Sequence, residues 1–266
     1  MNSTDTCKLS CRFEILPGAS VLEKITNAQA FGFDGVSLPG RFLSDYLEEL
    51  RDCLADLPIP LVALSLGFEG SLLSPDPAVR QKCRDSFMRL FDIGAELGVG
   101  LLNVPPVLIQ DNPVRLENKA EQDALLVEQL PAICDEARGR DLLFLLEPVN
   151  KYETEYLHQV PHAAWLCEKI DHPNLGLTPD FFHMQLEELN IAESIHQAGK
   201  WIKHVHVAEN TRVEPGPGSL DFGPGFAALK ALGYDGIIEV ECRTLSGPGE
   251  EVLPRSVDYL RAEWAR

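Results

Sequence analysis

The chain has 266 residues, of which 45% are hydrophobic and 24% are charged, a composition typical of a folded globular protein. Acidic residues outnumber basic ones by 41 to 23, so the formal net charge is −18. This charge repels the phosphates of nucleic acids and anionic membranes, and no apolar run approaches the roughly 18 residues of a membrane span. We therefore expect neither a nucleic acid nor a membrane as partner.

The cysteines and the first residues bear on the cellular compartment. Seven cysteines are spread over the whole chain, and most interrupt apolar stretches, where a reduced thiol acts as a small hydrophobic side chain. Their number is odd and no Cys-x-x-Cys pair occurs. Residues 1–10 are polar and lack the charged-then-apolar layout of a secretory signal. These features predict a cytoplasmic protein.

Short apolar runs alternate with longer amphipathic ones along the chain. Most of the short runs are nearly continuous in Val, Ile and Leu, which is typical of parallel strands covered on both faces. The predicted strands occupy residues 12–16, 35–38, 61–66, 101–107, 142–149, 175–180, 202–207 and 236–242. Eight strand-then-helix units indicate either a closed (β/α)8 barrel or a doubly wound sheet.

The clearest predicted helix follows residues 74–77. Asp76 suits the N-cap and Pro77 the first helical position, and apolar residues then recur at three- and four-residue steps. That apolar stripe comprises Cys83, Phe87, Leu90, Phe91 and Leu97. Residues 31–36 and 232–237 form a faint internal repeat that favours the barrel. Because no linker-like stretch divides the chain, we predict an α/β fold, a (β/α)8 barrel, in a single domain over residues 1–266.

Polar side chains end the last four predicted strands. Since parallel barrels gather their functional groups at the carboxyl ends of strands, these side chains are expected to converge. They are Glu147, Asp180, His206 and Glu241, hereafter the four-residue cluster. Three carboxylates in hydrophobic strands would repel one another without a cation. An oxygen-rich set with one nitrogen suits Mn²⁺ or Mg²⁺ better than structural Zn²⁺, so the pattern predicts one divalent metal ion.

Spacing alone leaves two positions of this cluster open. His204 and His206 are two residues apart on one predicted strand, so their side chains point to the same face. Glu239 and Glu241 are related in the same way on the last strand. From spacing within a strand, either member of each pair could be the metal ligand.

Four segments carry a resemblance to a known family: residues 146–153, 180–188, 204–212 with 215–218, and 233–241. With these segments the chain resembles the xylose-isomerase-like TIM-barrel superfamily over essentially its whole length. Within that superfamily it resembles the ketose 3-epimerases that act on D-tagatose and D-psicose (allulose). The resemblance implies a TIM barrel and a metal-dependent sugar epimerase, an isomerase of carbohydrate metabolism that works through an enediolate.

The resemblance also implies roles for individual residues. The four-residue cluster would bind one divalent ion, typically manganese (Mn²⁺), with Mg²⁺ or Co²⁺ as alternatives. Glu147 and Glu241 would in addition be the catalytic acid and base on the two faces of the substrate. Glu153, His183 and Arg212 would hold the hydroxyls and the carbonyl of the sugar. Because relatives are often dimers or tetramers, a homo-oligomer is implied as well.

Other activities are compatible with the same barrel. An aldose–ketose isomerase of the hydroxypyruvate isomerase type would use the same metal site with a shorter pocket. An epimerase or dehydratase acting on keto-glycosides or inososes would use the same enolisation on another sugar. Relatives of endonuclease IV bind DNA, which a charge of −18 disfavours. A non-catalytic sugar-binding barrel would not need the acid/base pair, so the sequence favours an epimerase and leaves its sugar open.

Overall fold

Eight parallel strands form one curled sheet. A computed structural model describes residues 6–108 and 115–266 of the chain. The strands are β1 (Lys8–Arg12), β2 (Gly35–Pro39), β3 (Leu61–Ser65), β4 (Leu101–Val104), β5 (Leu143–Leu146), β6 (Leu175–Leu177), β7 (Val205–Val207) and β8 (Ile237–Val240). They lie in the order β6–β5–β4–β3–β2–β1–β8–β7, and neighbouring strands pair in parallel. The prediction of a (β/α)8 barrel is confirmed.

Helices connect the strands and cover the convex face of the sheet. They are α1 (Val21–Ala30), α2 (Leu47–Cys53), α3 (Pro77–Leu97), α4 (Lys119–Arg138), α5 (Val160–Ile170), α6 (Phe181–Glu187), α7 (Ile191–Ala198), α8 (Gly223–Ala231) and α9 (Gly249–Ala265). Phe144 of β5 packs edge-on against Phe87 of α3, with ring centroids 5.2 Å apart. Both rings are fully buried. The apolar core therefore lies between the sheet and its helices.

Helix α3 forms as the sequence predicts. The Asp76 carboxylate accepts a hydrogen bond from the Ala78 amide at 2.8 Å, and Pro77 occupies the first turn. The whole predicted apolar stripe is buried. The helix ends at Gly98, whose φ of 70° is a left-handed conformation that glycine adopts without a steric penalty. Local capping and periodicity were sufficient to predict this element.

The first strand lies earlier than the sequence predicts. The predicted run of residues 12–16 is wrong as a strand, because Phe13–Ile15 forms a turn of 3-10 helix instead. Strand β1 covers Lys8–Arg12, where Leu9 and Cys11 are fully buried and the backbone pairs with both β2 and β8. Small and polar residues make β1 less apolar than the segment after it, which is why hydrophobicity misplaced it. Arg12 consequently ends a strand rather than beginning one.

The concave face of the sheet is polar. Ser37 of β2 donates a hydrogen bond to the Glu239 carboxylate of β8, past the intervening β1, so these side chains share the inside of the barrel. Ser10, Thr178 and His204 are also completely buried. Buried polar groups need hydrogen-bond partners or ligands, so the polar side chains that point into the barrel are candidates for a functional role.

The two edge strands of the sheet, β6 and β7, meet at a seam. Among the described residues, two isolated parallel bridges join its sides, Leu177 with Ile202 and Asp180 with His206. The Lys203 amide donates to the Leu177 carbonyl at 3.1 Å, and the His206 amide donates to the Pro179 carbonyl at 2.9 Å. Helices α6 and α7 both lie in the connection across this seam.

The cysteines carry free thiols. All seven are unpaired with one another, and all but Cys53 are buried. Burial raises the pKa of their thiols, to about 12 for Cys83 and Cys134. In residues 6–108 and 115–266, no helix is long and apolar enough to cross a membrane. The cytoplasmic location stays a prediction, and residues 1–5 of the segment used for it lie outside the described residues.

Candidate active site

Four polar side chains converge at the carboxyl ends of β5 to β8. Glu147 directly follows β5, Asp180 lies three residues after β6, His206 lies within β7, and Glu241 directly follows β8. Each offers one ligand atom, and these atoms all lie within 4.8 Å of one another. All four side chains are buried. The structure thus brings together the whole four-residue cluster at the barrel end where the strands lead into their loops.

Hydrogen bonds orient the members of the cluster. His206 Nδ1 lies 3.0 Å from Glu147 Oε1 and 3.6 Å from Glu241 Oε2. The Asn103 side-chain amide donates to the other oxygen of Glu147 at 2.5 Å. Asp180 caps α6, its Oδ1 accepting from the Phe182 amide at 2.8 Å. The cap directs one carboxylate oxygen away from the cluster and leaves the other free to face it.

The charges of the cluster are incompletely balanced by protein groups. Burial raises the pKa of Asp180 to about 7, although the positive charge of Arg212 opposes this rise. Burial alone would lower the pKa of His206, but the carboxylates of Glu241, Glu147 and Glu239 outweigh it and raise the pKa to about 10. Both shifts favour the protonated form, which removes negative charge at Asp180 and adds positive charge at His206.

A divalent cation fits this donor set. The Asp180 Oδ2 atom is fully buried and accepts no hydrogen bond, so it has an unused lone pair at the centre of the cluster. Three carboxylates and one imidazole are ligands that Mn²⁺ and Mg²⁺ accept. Ion binding would displace the protons just described, since metal ligands bind in their deprotonated forms.

The residues predicted to hold substrate lie beside the cluster and touch one another. Arg212 Nη1 donates to Glu153 Oε1 at 3.1 Å and lies 3.2 Å from His183 Nε2. Its Nη2 donates to Glu241 Oε2 at 3.0 Å. The guanidinium also stacks over the Phe182 ring, 4.4 Å from the centroid. Arg212 therefore connects the predicted substrate-binding residues to the four-residue cluster.

His183 is held as a neutral imidazole. Burial and then the nearby charge of Arg212 lower the pKa of His183 well below its usual value. The Asn150 side-chain amide donates to Nδ1 at 2.6 Å, and the Asn150 backbone amide lies 3.3 Å from the same atom. Arg212 Nη1, which can only donate, lies 3.2 Å from Nε2, so donors face both ring nitrogens, and Asp180 Oδ2 lies 3.3 Å from Nε2.

A cavity of about 740 Å³ opens above these residues. Its walls include both candidate catalytic glutamates and all three predicted substrate-binding residues. Four arginines also line it: Arg12, Arg41, Arg212 and Arg243. Four glutamates line it as well (Glu14, Glu147, Glu153 and Glu241), so the formal charges of the wall balance, and its donors and acceptors suit an oxygen-rich ligand.

Three polar residues of the site were not predicted from the sequence. Arg12 Nη1 donates to Glu241 Oε1 at 2.9 Å, and Asn103 and Asn150 hold Glu147 and His183 as described. Arg12 ends β1, so the rule that polar strand ends gather at the site would have found it with β1 correctly placed. Asn103 lies inside a predicted strand as a polar residue among apolar ones, which is the same signal that identified Glu147.

Comparisons with known proteins agree with the fold and with the enzyme class predicted from the sequence. A family model described as xylose isomerase-like TIM barrel matches residues 25–263. The chain is 26% identical to 3-dehydro-D-guloside 4-epimerase of Escherichia coli over 91% of this chain and 94% of that protein. It is 30% identical to ketose 3-epimerase of Arthrobacter globiformis over 88% of this chain and 81% of that protein. Since epimerases are isomerases, the prediction of an isomerase is confirmed.

Solved structures show the same architecture. The apo form of 3-keto-D-glucoside 4-epimerase from E. coli superposes with a TM-score of 0.85 at 23% identity, covering 96% of this chain and 99% of that one. D-psicose 3-epimerase with D-tagatose from Clostridium cellulolyticum H10 gives a TM-score of 0.82 at 23% identity, covering 97% and 100%. The chain belongs to the xylose isomerase-like TIM barrel family, as its resemblance in sequence indicated.

Proposed function

We propose that this protein is a divalent-metal-dependent sugar epimerase that inverts a carbon next to a ketone. The observation that carries the proposal is the convergence of four buried ligand atoms within 4.8 Å of one another, two of whose residues, Glu147 and Glu241, line a cavity. Relatives that are ketose 3-epimerases and a keto-glycoside epimerase support the reaction class. We take the free ketoses as the first substrate class, with inversion at C3.

In this proposal, the four-residue cluster holds one divalent ion, Mn²⁺, with Mg²⁺ and Co²⁺ as alternatives. When bound, such an ion polarises the ketone and lowers the pKa of the neighbouring C–H. The unused Oδ2 atom of Asp180 and the oxygen-rich donor set support this assignment. The cavity places the cluster beside the residues that would hold the sugar.

Glu147 and Glu241 are the proposed acid/base pair. They follow β5 and β8, two strands separated in the barrel by β6 and β7, so they approach a substrate from different sides. One carboxylate takes the C3 proton while the C–H electron pair moves into an enediolate. The other carboxyl group returns a proton to the opposite face of the same carbon. His206, Arg12 and Arg212 together lower the pKa of Glu241 against the effect of burial, which keeps it ionised in the free protein.

Glu153, His183 and Arg212 are proposed to position the sugar. Arg212 presents its planar guanidinium between Glu153 and Glu241, with Phe182 fixing its orientation from one side. His183 presents its Nε2 atom beside Arg212, because Asn150 holds Nδ1. Guanidinium donors suit a ketone oxygen or a hydroxyl, and a carboxylate such as Glu153 suits a hydroxyl proton.

Isotope exchange tests the proposal. Metal-loaded enzyme would be incubated in D₂O with D-fructose, D-tagatose and D-psicose, and the products examined by NMR. Since the carboxylates exchange with solvent, we expect a 3-epimer with deuterium at C3. Glu147→Gln and Glu241→Gln should each abolish turnover, whereas Glu250→Gln, an exposed change in the first turn of α9, should not. Deuterium at C1 or C2 with unlabelled C3 would reassign the enzyme as an aldose–ketose isomerase.

A second candidate substrate class is the keto-glycosides. The cavity of about 740 Å³ lies in the range of about 300–1,000 Å³ that takes drug-sized ligands, so it has room for a sugar carrying an aglycone. The E. coli relative named for a dehydro-guloside points in the same direction. The same assay with a 3-keto-glycoside would then place deuterium at C4 of an inverted product, while free ketoses remain unlabelled.

The remaining predictions are proposals about the whole protein. We propose that residues 1–266 form a single domain that works in the cytoplasm as a homo-dimer or homo-tetramer. We propose further that it binds neither nucleic acid nor membranes, as the net charge of −18 suggests. Light scattering after size-exclusion chromatography would measure the oligomeric state, and elution through heparin without retention would agree with the charge argument.

A further inference from the structure

A second polar cluster lies deeper in the barrel, and the proposed mechanism leaves it without a role. Glu239 of β8 is completely buried, two residues before Glu241 and on the same face of the strand. Its Oε2 atom accepts hydrogen bonds from the Ser37 hydroxyl and from His204 Nε2, the latter at 2.8 Å. Its other oxygen, Oε1, is buried without a hydrogen-bond partner. An ionised carboxylate with an unused oxygen is costly in a barrel interior.

His206 is the side chain between the two clusters. Its Nδ1 atom faces the four-residue cluster, 3.0 Å from Glu147 Oε1. Its Nε2 atom points the other way, is buried and makes no hydrogen bond, and lies 3.8 Å from Glu239 Oε2. A small rotation of the Glu239 carboxylate would therefore satisfy two unpartnered buried groups at once, the ring nitrogen and a carboxylate oxygen.

A hydrogen bond between His206 Nε2 and Glu239 would decide which ring nitrogen of His206 carries the proton. A histidine that binds a cation through Nδ1 must have no proton there, so a neutral ring carries its proton on Nε2. A carboxylate that accepts a hydrogen bond from Nε2 stabilises that tautomer, fixes the ring plane and makes Nδ1 a stronger ligand.

We propose that Glu239 is a positioning residue for His206. It accepts a hydrogen bond from Nε2 and thereby holds His206 in the tautomer and orientation in which Nδ1 faces Glu147, Asp180 and Glu241. Ser37 and His204 in turn hold the Glu239 carboxylate in place. The inference rests on the proposed function to the extent that the four-residue cluster binds an ion.

A rival interpretation is a second cation bound by His204, His206 and Glu239, whose ligand atoms also lie within 4.8 Å of one another. This arrangement would require His206 to bind through both ring nitrogens at the same time, without either ring proton. A positioning hydrogen bond uses the common neutral form of the ring, so the chemistry favours it.

Metal affinity of Glu239→Gln tests the proposal. The amide keeps the size of the side chain and removes its charge, so we expect the Kd for Mn²⁺ measured by calorimetry to rise about 10- to 100-fold. Ser10→Ala is the matched control, because Ser10 lies opposite Glu239 in the strand register, is equally buried and makes no hydrogen bond. Its Kd should equal that of the wild type.

A second readout follows the ring itself. In ¹⁵N-histidine NMR spectra of the Mg²⁺-loaded protein, His206 should carry its proton on Nε2, and Glu239→Gln should broaden or shift this resonance. If Glu239→Gln does not fold, Glu239→Asp keeps the charge but withdraws the carboxylate by one methylene. It should then show a weakened Mn²⁺ affinity.

The outcomes are distinguishable. An unchanged Kd and an unchanged His206 spectrum in Glu239→Gln would overturn the positioning role. Two ions per wild-type chain by elemental analysis, with one lost in Glu239→Gln, would replace it with the second cation site. If the wild type binds no divalent ion, the proposed function fails. The Nε2–H resonance without metal then decides the inference, which stands if Glu239→Gln perturbs that resonance and falls if it does not.

Discussion

The backbone of Arg212 has a strained conformation, and its side chain contacts both Glu153 and Glu241. Its φ of 60° is left-handed, a conformation that costs a non-glycine residue about 1–2 kcal/mol. Two backbone hydrogen bonds hold it there, from the Arg212 amide to the Glu209 carbonyl at 2.8 Å and from the Arg243 amide to the Arg212 carbonyl at 3.0 Å. Backbone strain of this kind persists where surrounding contacts enforce it. At Arg212 it accompanies the hydrogen bond from the guanidinium to Glu241.

Arg212→Ala should impair catalysis without removing the metal. The change deletes charge-assisted hydrogen bonds at the substrate cavity, so we expect kcat/KM to fall about 10- to 100-fold. The bound metal per chain, measured by elemental analysis, should stay at the wild-type value. Arg255→Ala is the control, because that side chain is 71% exposed and pairs with Glu251 on α9, outside the cavity wall. Equal losses in both variants would show that Arg212 has no special role in orienting substrate.

At the level of single residues, the two-residue periodicity of a strand predicted which side chains face the barrel interior. It did not predict how far along the barrel axis each side chain lies. Glu147 and Asp180 stood out because carboxylates rarely end apolar strands without a partner. His204 and His206 could not be separated by spacing, since both point inward. The structure separates them, because His206 reaches the four-residue cluster and His204 contacts Glu239 below it. Depth along a barrel axis depends on strand register, which the sequence does not contain.

At the level of elements, close packing between α8 and α6 supports the metal-ligand candidate Asp180. Gly225 of α8 lies against the Phe181 ring at the start of α6, one residue after Asp180. A Cβ atom at position 225 would lie 2.5 Å from Cε2 and 2.6 Å from Cζ of that ring. Because Phe181 is completely buried, the ring has little room to withdraw.

Gly225→Ala should destabilise the protein by about 1–3 kcal/mol in the free energy of unfolding, the usual result of overpacking a core. Urea denaturation monitored by circular dichroism would measure it. The matched control is Gly100→Ala, since a Cβ there meets no atom within 4 Å. That variant should be as stable as the wild type. Equal stability of both variants would mean that α8 shifts freely and does not fix Phe181.

Elements were predictable where one local rule determined them. Helix α3 has a cap, a first-turn proline and an apolar stripe, and all three signals agree. Strand β1 has none of these, and its backbone pairing with β2 and β8 is what defines it. The last four predicted strands were too long for a related reason. Residues 147–149 and 178–180, for example, were assigned to strands but follow β5 and β6, where they lead the chain into the candidate site.

At the scale of the whole molecule, metal binding should stabilise the fold. An ion that binds the folded state alone adds about 2.7 kcal/mol at 100 times its Kd, which raises the Tm of a protein of this size by about 5–10 °C. Differential scanning calorimetry with Mn²⁺ against EDTA would measure this rise. Asp180→Asn should fold, because asparagine caps helices as well as aspartate does, yet show no rise. A rise equal to that of the wild type would exclude Asp180 as a ligand.

The barrel as a whole was predictable because eight alternations of strand and helix admit few architectures. The shape of the cavity was not. Its rim is built by short 3-10 turns and loops after β1, β2 and β8, including Ile15, Phe42 and Leu245, which leave no long hydrophobic periodicity in the sequence. The candidate metal site therefore follows from strand periodicity, while the shape of the cavity rim depends on loops.

The seam between β6 and β7 runs through the candidate metal site. Glu147 and Asp180 belong to one edge of the curled sheet, and His206 and Glu241 to the other. An ion held by all four would link the β6 and β7 edges of the sheet. Among the described residues, two isolated bridges also join these edges. Coupling free energies are reciprocal. The free energy by which the bound ion stabilises the closed barrel therefore equals the free energy by which barrel closure strengthens ion binding. The Kd of the metal would then depend on how stably β6 and β7 are held together.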